Sequence, residues 1–172
     1  MKKVKPIVND YDTNDIDEIS RNFNITTISS RILLNRKLRT YDEINEFLYP
    51  DFKYFENPLN YKDMEKGCNR ILEAVDKHEK ILIYGDYDVD GVTSISQFMM
   101  ILSGAGLDVS YYVPERESEG YGISSDFIEK IKNDEIKFDL LITVDCGIAE
   151  NEKVDEINQL NKDIIILDHH QC

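Results

Sequence analysis

The sequence predicts an α/β fold: a parallel sheet flanked by helices on both faces, with a helical N-terminal extension. Beyond Lys80, short apolar runs (81–84, 109–113, 140–144 and 164–167) alternate with segments whose apolar residues recur at helical spacing. Strands alternating with helices build a parallel sheet covered on both faces. Before Lys80 the apolar residues recur at helical spacing only. The chain therefore divides into a helical N-terminal region, 1–80, and a strand–helix domain, 81–172.

The first segment, Asn9–Glu18 (NDYDTNDIDE), is polar and acidic. Its aspartates resemble a metal site, but no apolar flanks fix them, and a solvated, mobile run is expected. Ser29–Leu38 (SSRILLNRKL) has helical spacing and carries Arg31, Arg36 and Lys37, with Arg39 just beyond. Asp42–Leu48 (DEINEFL) is a second short helix, stopped by Pro50. Tyr61–Glu79 is the clearest helix, with Met64, Cys68, Ile71, Leu72 and Val75 in one apolar stripe. ILIY (81–84) opens the strand series, and Val92–Leu102 follows as a helix. VSYYV (109–113) is a strand ended by Pro114, and Ser125–Lys132 a helix carrying Phe127, Ile128 and Ile131. LLITV (140–144) is a strand, Ala149–Leu160 a helix, and IIIL (164–167) the last strand. The connections between such strands are expected to be right-handed crossovers.

A chain of 172 residues that is 41% hydrophobic and 31% charged reads as one soluble globular domain, with or without a helical extension. No apolar run approaches the roughly 20 residues that span a bilayer. MKKVKPIVNDYD has the charge of a signal peptide without its apolar segment, so neither membrane insertion nor secretion is expected. Three cysteines without paired spacing, Cys68, Cys146 and Cys172, fit a reduced, cytoplasmic chain. The net charge of −14 first argues against a surface that grips phosphates. Its distribution weakens that objection. Residues 1–80 hold 14 Lys and Arg against 15 Asp and Glu, whereas residues 81–172 hold 6 against 19. The basic cluster at 31–39 could touch a phosphate backbone, although a solvated helix face is the plainer interpretation.

Within the acidic half, the acids of interest follow strands. The first strand runs into Asp86, Asp88 and Asp90 (YGDYDVDG), the third into Asp145 (ITVDCG), and the fourth into Asp168, His169 and His170 (LDHH). The carboxyl edge of an open parallel sheet is where ligand crevices form. An extended backbone would point Asp86, Asp88 and Asp90 to one side. Carboxylates converging there would raise one another's pKa values, and a divalent cation removes the conflict. Oxygen-rich ligands with imidazole suit Mn²⁺ or Mg²⁺, and Asp145 on a central strand is placed to bridge two ions. Two such ions form the clamp used for in-line attack of water on phosphorus.

Plainer interpretations exist for each element. A lone Asp after a strand is usually a helix cap. DYDVDG also matches the start of an EF-hand loop, but a strand precedes it and Gln97 occupies the position of the last ligand. Arg116, the sole Lys or Arg between Ile81 and Glu129, lies in PERESEGYG on the same edge. It could fork onto a phosphate or pair with Glu115, Glu117 or Glu119. Gly120 and Gly122 would let that loop move. Cys146 has no basic neighbour in sequence and is expected to be a structural thiol.

GDYDVDGVTS, TVDCGI and LDHH, in this order and spacing, resemble the first three motifs of the DHH phosphoesterases. Within that superfamily the chain is similar to the RecJ-type single-stranded-DNA exonucleases, a likeness supported by VPERESEGYGIS and by the long region before the first motif. The resemblance implies a 5′→3′ exonuclease of DNA repair and recombination that releases 5′-mononucleotides with two Mn²⁺ or Mg²⁺ ions. By position it implies that Asp88, Asp90, Asp145 and His169 are metal ligands, with Asp145 bridging and Asp86 a ligand or its support. It further implies that Asp168 orients a histidine, that His170 meets the scissile phosphate and that Arg116 assists. Single-stranded DNA, a single-strand-binding protein and a helicase are the implied partners. The family has a fourth motif and a further DNA-clamping domain. The chain stops before either, so these 172 residues alone are expected to have little nuclease activity.

Other functions compete for the same residues. DVDGV (88–92) fits the haloacid-dehalogenase pattern, in which Asp88 would be a covalent nucleophile and Asp90 a general acid, but that pattern leaves LDHH unexplained. Oligonucleotide or cyclic-dinucleotide phosphodiesterases and inorganic pyrophosphatases of the DHH group share the metal chemistry. The long helical region before the first motif weighs against them. A non-catalytic binding module is disfavoured by the presence of every expected ligand.

Overall fold

The computed structural model describes residues 9–171. The basic start of the chain and Cys172 lie outside the described residues. Two compact units divide between Asn60 and Tyr61.

The first unit is helical: α1 (Thr13–Phe23), α2 (Thr27–Asn35) and α3 (Tyr41–Leu48), followed by short 3₁₀ turns at Phe52–Tyr54 and Pro58–Asn60. Its core joins Ile16, Ile19 and Phe23 of α1 to Leu33, Leu34 and Ile44. The acidic segment expected to be a mobile run is therefore the start of α1. Asp12 caps the helix by accepting from the Asn14 amide at 2.9 Å. The apolar stripe that fixes the segment continues past its acidic end, at Ile19 and Phe23. Thr40 and Glu43 form a reciprocal capping box that starts α3.

The second unit contains α4 (Met64–Lys77), β1 (Ile81–Gly85), α5 (Val89–Gly104), β2 (Val109–Tyr112), α6 (Ser125–Lys132), β3 (Leu140–Val144), α7 (Asn151–Gln159) and β4 (Asp163–Leu167). The four strands pair in the order β2-β1-β3-β4, all parallel. β1 and β3 lie in the middle and are buried throughout, which is why their sequences are continuously apolar.

Alternate residues of the central strands face opposite layers. Leu82, Tyr84 and Leu141 pack with Ile123, Phe127, Ile128 and Ile157 on the α6/α7 side. Ile81, Ile83, Leu140, Ile142 and Val144 pack with Ala74, Ile95 and Leu102 on the α4/α5 side. Helices thus cover both faces, as expected from the sequence. α4 packs against the sheet through Ala74 and Ile71. Arg70 of α4 also binds Asp163 at the start of β4 (2.7 Å) and Glu79 (2.6 Å). The sheet's compact unit therefore begins at Tyr61, earlier than Ile81, where the motif-bearing domain begins in the sequence.

Phe127 is fully buried, with ring centroids 4.7 Å from Tyr84 and 5.0 Å from Tyr112. Phe127→Ala should lower the unfolding free energy by about 3–5 kcal/mol. Urea unfolding followed by circular dichroism measures this as a lower midpoint at unchanged slope.

Candidate metal centre

The register of the sheet places the acids. Gly85 pairs with Val144, and Val144 with Leu167. The next residues, Asp86, Asp145 and Asp168, consequently leave three adjacent strands at one carboxyl edge. Asp86 and Asp145 are buried, 4% and 7% exposed.

β1 ends at Gly85, Asp88 keeps extended dihedrals and α5 starts at Val89. The sequence-based picture of three aspartates on one side therefore describes Asp86 and Asp88, whereas Asp90 lies on the helix. Asp88 is the N-cap of α5, and its Oδ1 accepts from the amides of Asp90 (2.9 Å) and Gly91 (3.1 Å). Those amides, the Gly91 amide foremost, hold its carboxyl below the usual carboxylate range. The helix-cap interpretation and the ligand role thus fall on the same side chain. Asp90 lies exposed in the first turn of α5. The turn is tight because a Cβ on Gly91 would sit 2.2 Å from the Asp86 carbonyl oxygen.

Asp145 ends β3 in the left-handed region, φ 60°, with its amide bonded to the Leu167 carbonyl (2.8 Å). Its Oδ1 lies 3.0 Å from His169 Nε2. Burial, and then the negative charge of Asp88, push its carboxyl up. Asp168 points back into the protein, where Oδ2 accepts from the Ile148 amide (3.0 Å). Its Oδ1 accepts from the His170 amide (3.0 Å) and lies 2.7 Å from His170 Nδ1.

The loop after β2 reaches the same edge on a buried support. The Tyr84 hydroxyl donates to the Gly122 carbonyl (2.7 Å) and accepts from the Ser124 amide (3.2 Å). Glu119 accepts from the Glu115 amide (3.1 Å), from the Tyr112 hydroxyl (2.9 Å) and from Ser124 Oγ. Its role inside the loop was not visible in the sequence, where it reads as one glutamate among three. Burial pushes its carboxyl up, but the bonds from Ser124, Glu115 and Tyr112 outweigh that and leave its pKa lowered.

Arg116 stacks over the Tyr87 ring at 5.3 Å, and among the described residues it forms no ion pair with the neighbouring glutamates. Tyr121, unremarked in the sequence beyond its place in the glycine-flanked loop, puts its hydroxyl 3.1 Å from His170 Nδ1. Burial, followed by the charge of Asp168, pushes that phenol up to about 12. Cys146 is fully buried, and burial pushes its thiol up to about 12, consistent with a structural role.

These residues fit a divalent cation. Ligand atoms of Asp86, Asp88 and Asp145 lie within 4.8 Å of one another, as do those of Asp145, His169 and His170. Asp145 belongs to both groups, whereas Asp90 belongs to neither. Asp86 Oδ1 is buried without a hydrogen-bond partner, an arrangement that is costly unless a cation or other donor meets it. The donor set, carboxylate oxygens with imidazole, is that of Mn²⁺ or Mg²⁺ sites.

A sheet of this order with acids and a DHH motif at its carboxyl edge defines a class. Residues 80–172 match the DHH family, N-terminal domain, and the chain belongs to that family. Over 160 residues, 93% of the chain, it is 36% identical to the single-stranded-DNA-specific exonuclease RecJ of Bacillus subtilis. It is 32% identical over 112 residues, 65% of the chain, to the RecJ of Thermus thermophilus. The chain spans 20% and 16% of the lengths of those two relatives. A crystal structure of exonuclease RecJ bound to manganese superposes with a TM-score of 0.61 at 30% identity, covering 68% of this chain and 30% of that one. The fold also matches RecJ of Thermus thermophilus in complex with Mn²⁺, with a TM-score of 0.59 at 23% identity, covering 92% of this chain and 21% of that one. No helix among the described residues is long and apolar enough to cross a membrane.

Two outcomes follow from this geometry. Gly91→Ala should displace the Asp86–Asp88 turn and weaken Mn²⁺ binding by at least about 10-fold, measured by calorimetric titration of the chain. Glu119, with its lowered folded pKa, contributes stability that is complete above its ordinary value of 4.5 and lost as pH falls through the folded value. Glu119→Gln should accordingly flatten the acid limb of thermal stability below pH 4.5.

Proposed function

We propose that this chain carries the metal-binding core of a 5′→3′ exonuclease that acts on single-stranded DNA and releases 5′-mononucleotides in DNA repair and recombination. The observation that carries the proposal is Asp145, a buried carboxylate shared by two candidate ligand groups on one sheet edge. Similarity to manganese-bound RecJ supports the choice of metal. The curated relatives support the single-stranded substrate. Digestion polarity rests on family resemblance.

Asp86, Asp88, Asp145 and His169 would hold two Mn²⁺ or Mg²⁺ ions, with Asp90 completing the set from the first turn of α5. Bound there, such ions supply a hydroxide nucleophile at neutral pH and Lewis acidity toward a phosphoryl oxygen. The protein's own groups do the rest. Asp168 fixes His170 by accepting from its amide and lying against Nδ1, which leaves Nε2 to meet a phosphate oxygen. Arg116, exposed and unpaired among the described residues, offers a forked cation to the same strand. The basic residues at 31–39 add sequence-independent attraction for a phosphate backbone. Family resemblance alone extends the partners to a single-strand-binding protein and a helicase, and the setting to the cytoplasm. A phosphatase with Asp88 as covalent nucleophile is disfavoured, because it leaves the cluster of Asp145, His169 and His170 without a role.

The test is a chimera in which residues 9–171 replace the matching segment of the Bacillus subtilis relative. It should degrade 5′-labelled single strands, spare duplex and depend on Mn²⁺ or Mg²⁺. Asp145→Asn and His169→Ala should each lower the rate by more than about 100-fold. Equal digestion of duplex, or activity indifferent to chelator, would overturn the proposal.

A further inference from the structure

The site depends on where the His170 imidazole points, yet the side chain is 46% exposed. Asp168 holds it from one side only, through the backbone amide (3.0 Å) and Nδ1 (2.7 Å). Both contacts use the same oxygen, Oδ1, so the ring could still tilt about that point. Tyr121 adds a second contact. Its hydroxyl oxygen lies 3.1 Å from Nδ1 and 3.5 Å from Nε2. The two rings meet edge to face, with centroids 5.7 Å apart and planes at 78°. The same hydroxyl is 3.3 Å from the Asp145 carbonyl oxygen.

We propose, on the basis of the exonuclease reading above, that Tyr121 is a positioning residue that ties His170 to the end of β3 and presents its imidazole to the scissile phosphate in one orientation. The hydrogen bonds balance without strain. Nδ1–H is given chiefly to Asp168, the tyrosine hydrogen goes to the Asp145 carbonyl, and the tyrosine oxygen faces the histidine with a lone pair. Nε2 is then left for the substrate side, where as an N–H it can donate to a phosphate oxygen.

Tyr121 is itself held in place. Gly120 and Gly122 flank it in the left-handed region, each at φ 81°. The Gly122 carbonyl is bonded to the buried Tyr84 hydroxyl. A Cβ on Gly122 would fall 2.5 Å from Glu150 Oε1, so the loop is packed down at that point. Tyr121 therefore connects three parts of the centre that are distant in sequence: the loop after β2, the end of β3 and the DHH motif.

Tyr121→Phe tests the assignment by removing one oxygen. Long-range ¹H–¹⁵N spectra of the metal-free chain should show the His170 ring nitrogens shifting and broadening, with the thermal midpoint unchanged. Tyr121→Leu, which also removes the ring edge, should enlarge both effects. In the nuclease assay, Tyr121→Phe should lower kcat about 10-fold with KM for single-stranded DNA held within about twofold. Unchanged His170 resonances in both variants would overturn the tether. A normal rate in His170→Ala would instead overturn the reading of His170 as a phosphate contact. The spectra separate these two failures because they need neither metal nor DNA.

Discussion

The in-register parallel pairing of β1, β3 and β4 is the constraint on which the candidate centre depends. Because Gly85, Val144 and Leu167 lie side by side, the acids that follow them emerge together whatever their charges prefer. Two apolar layers hold that register. Slipping one strand by a residue would turn its buried side chains to the wrong face. The burial that stabilises the sheet thus crowds carboxylates that water would keep apart. The strain is visible in the raised carboxyl of Asp145 and the unpartnered oxygen of Asp86.

Each acid is relieved in a different way, and the differences define the site. Asp88 is satisfied by helix amides and Asp168 by the Ile148 amide and His170. Among the described residues, Asp86 and Asp145 have no comparable amide donors to their side chains, which leaves their oxygens open to a cation. Exposure follows the same division. The Asp145 and Asp168 side chains are 6% and 1% exposed, while their partners His169 and His170 are 70% and 46% exposed. Buried anchors therefore hold exposed imidazoles. The Tyr84–Gly122–Ser124 bonds extend this support to the loop that carries Arg116 and Tyr121.

Most of the architecture was legible because burial and periodicity agree. The continuous apolar runs at 81–84 and 140–144 are the two central strands, and Ser125–Lys132 is a helix with the bounds its Phe127, Ile128 and Ile131 stripe indicates. The helical character of α1 is hidden because charged residues dominate its first half, where Ile16 alone is buried, while Ile19 and Phe23 follow the acidic segment. At the site, the strand-end acids were legible one cluster at a time, since parallel strands carry their carboxyl ends to one edge. The turn at Asp86–Gly91 was not. DYDVDG permits an extended course, and the helical one is marked by contacts that local spacing does not encode: the Asp88 cap and the close approach of Gly91 to the Asp86 backbone. The roles of Tyr121 and Glu119 were not legible because they consist of contacts with residues distant in sequence or with backbone groups, which no local pattern encodes.

The charge distribution then acquires a mechanistic meaning. Five of the acidic side chains in residues 81–172 follow strand ends (Asp86, Asp88, Asp90, Asp145 and Asp168), and a bare edge of that kind repels a phosphodiester. On the exonuclease reading, affinity for a nucleic-acid strand at this edge is linked to cation occupancy, and linkage makes the coupling reciprocal: bound strand must tighten cation binding by the same factor. Asp86 and Asp145 are among the groups that would hold that cation. A net charge of −14 is therefore compatible with a nucleic-acid substrate, because part of the acidity that seems to forbid it belongs to the groups that would recruit the opposing charge.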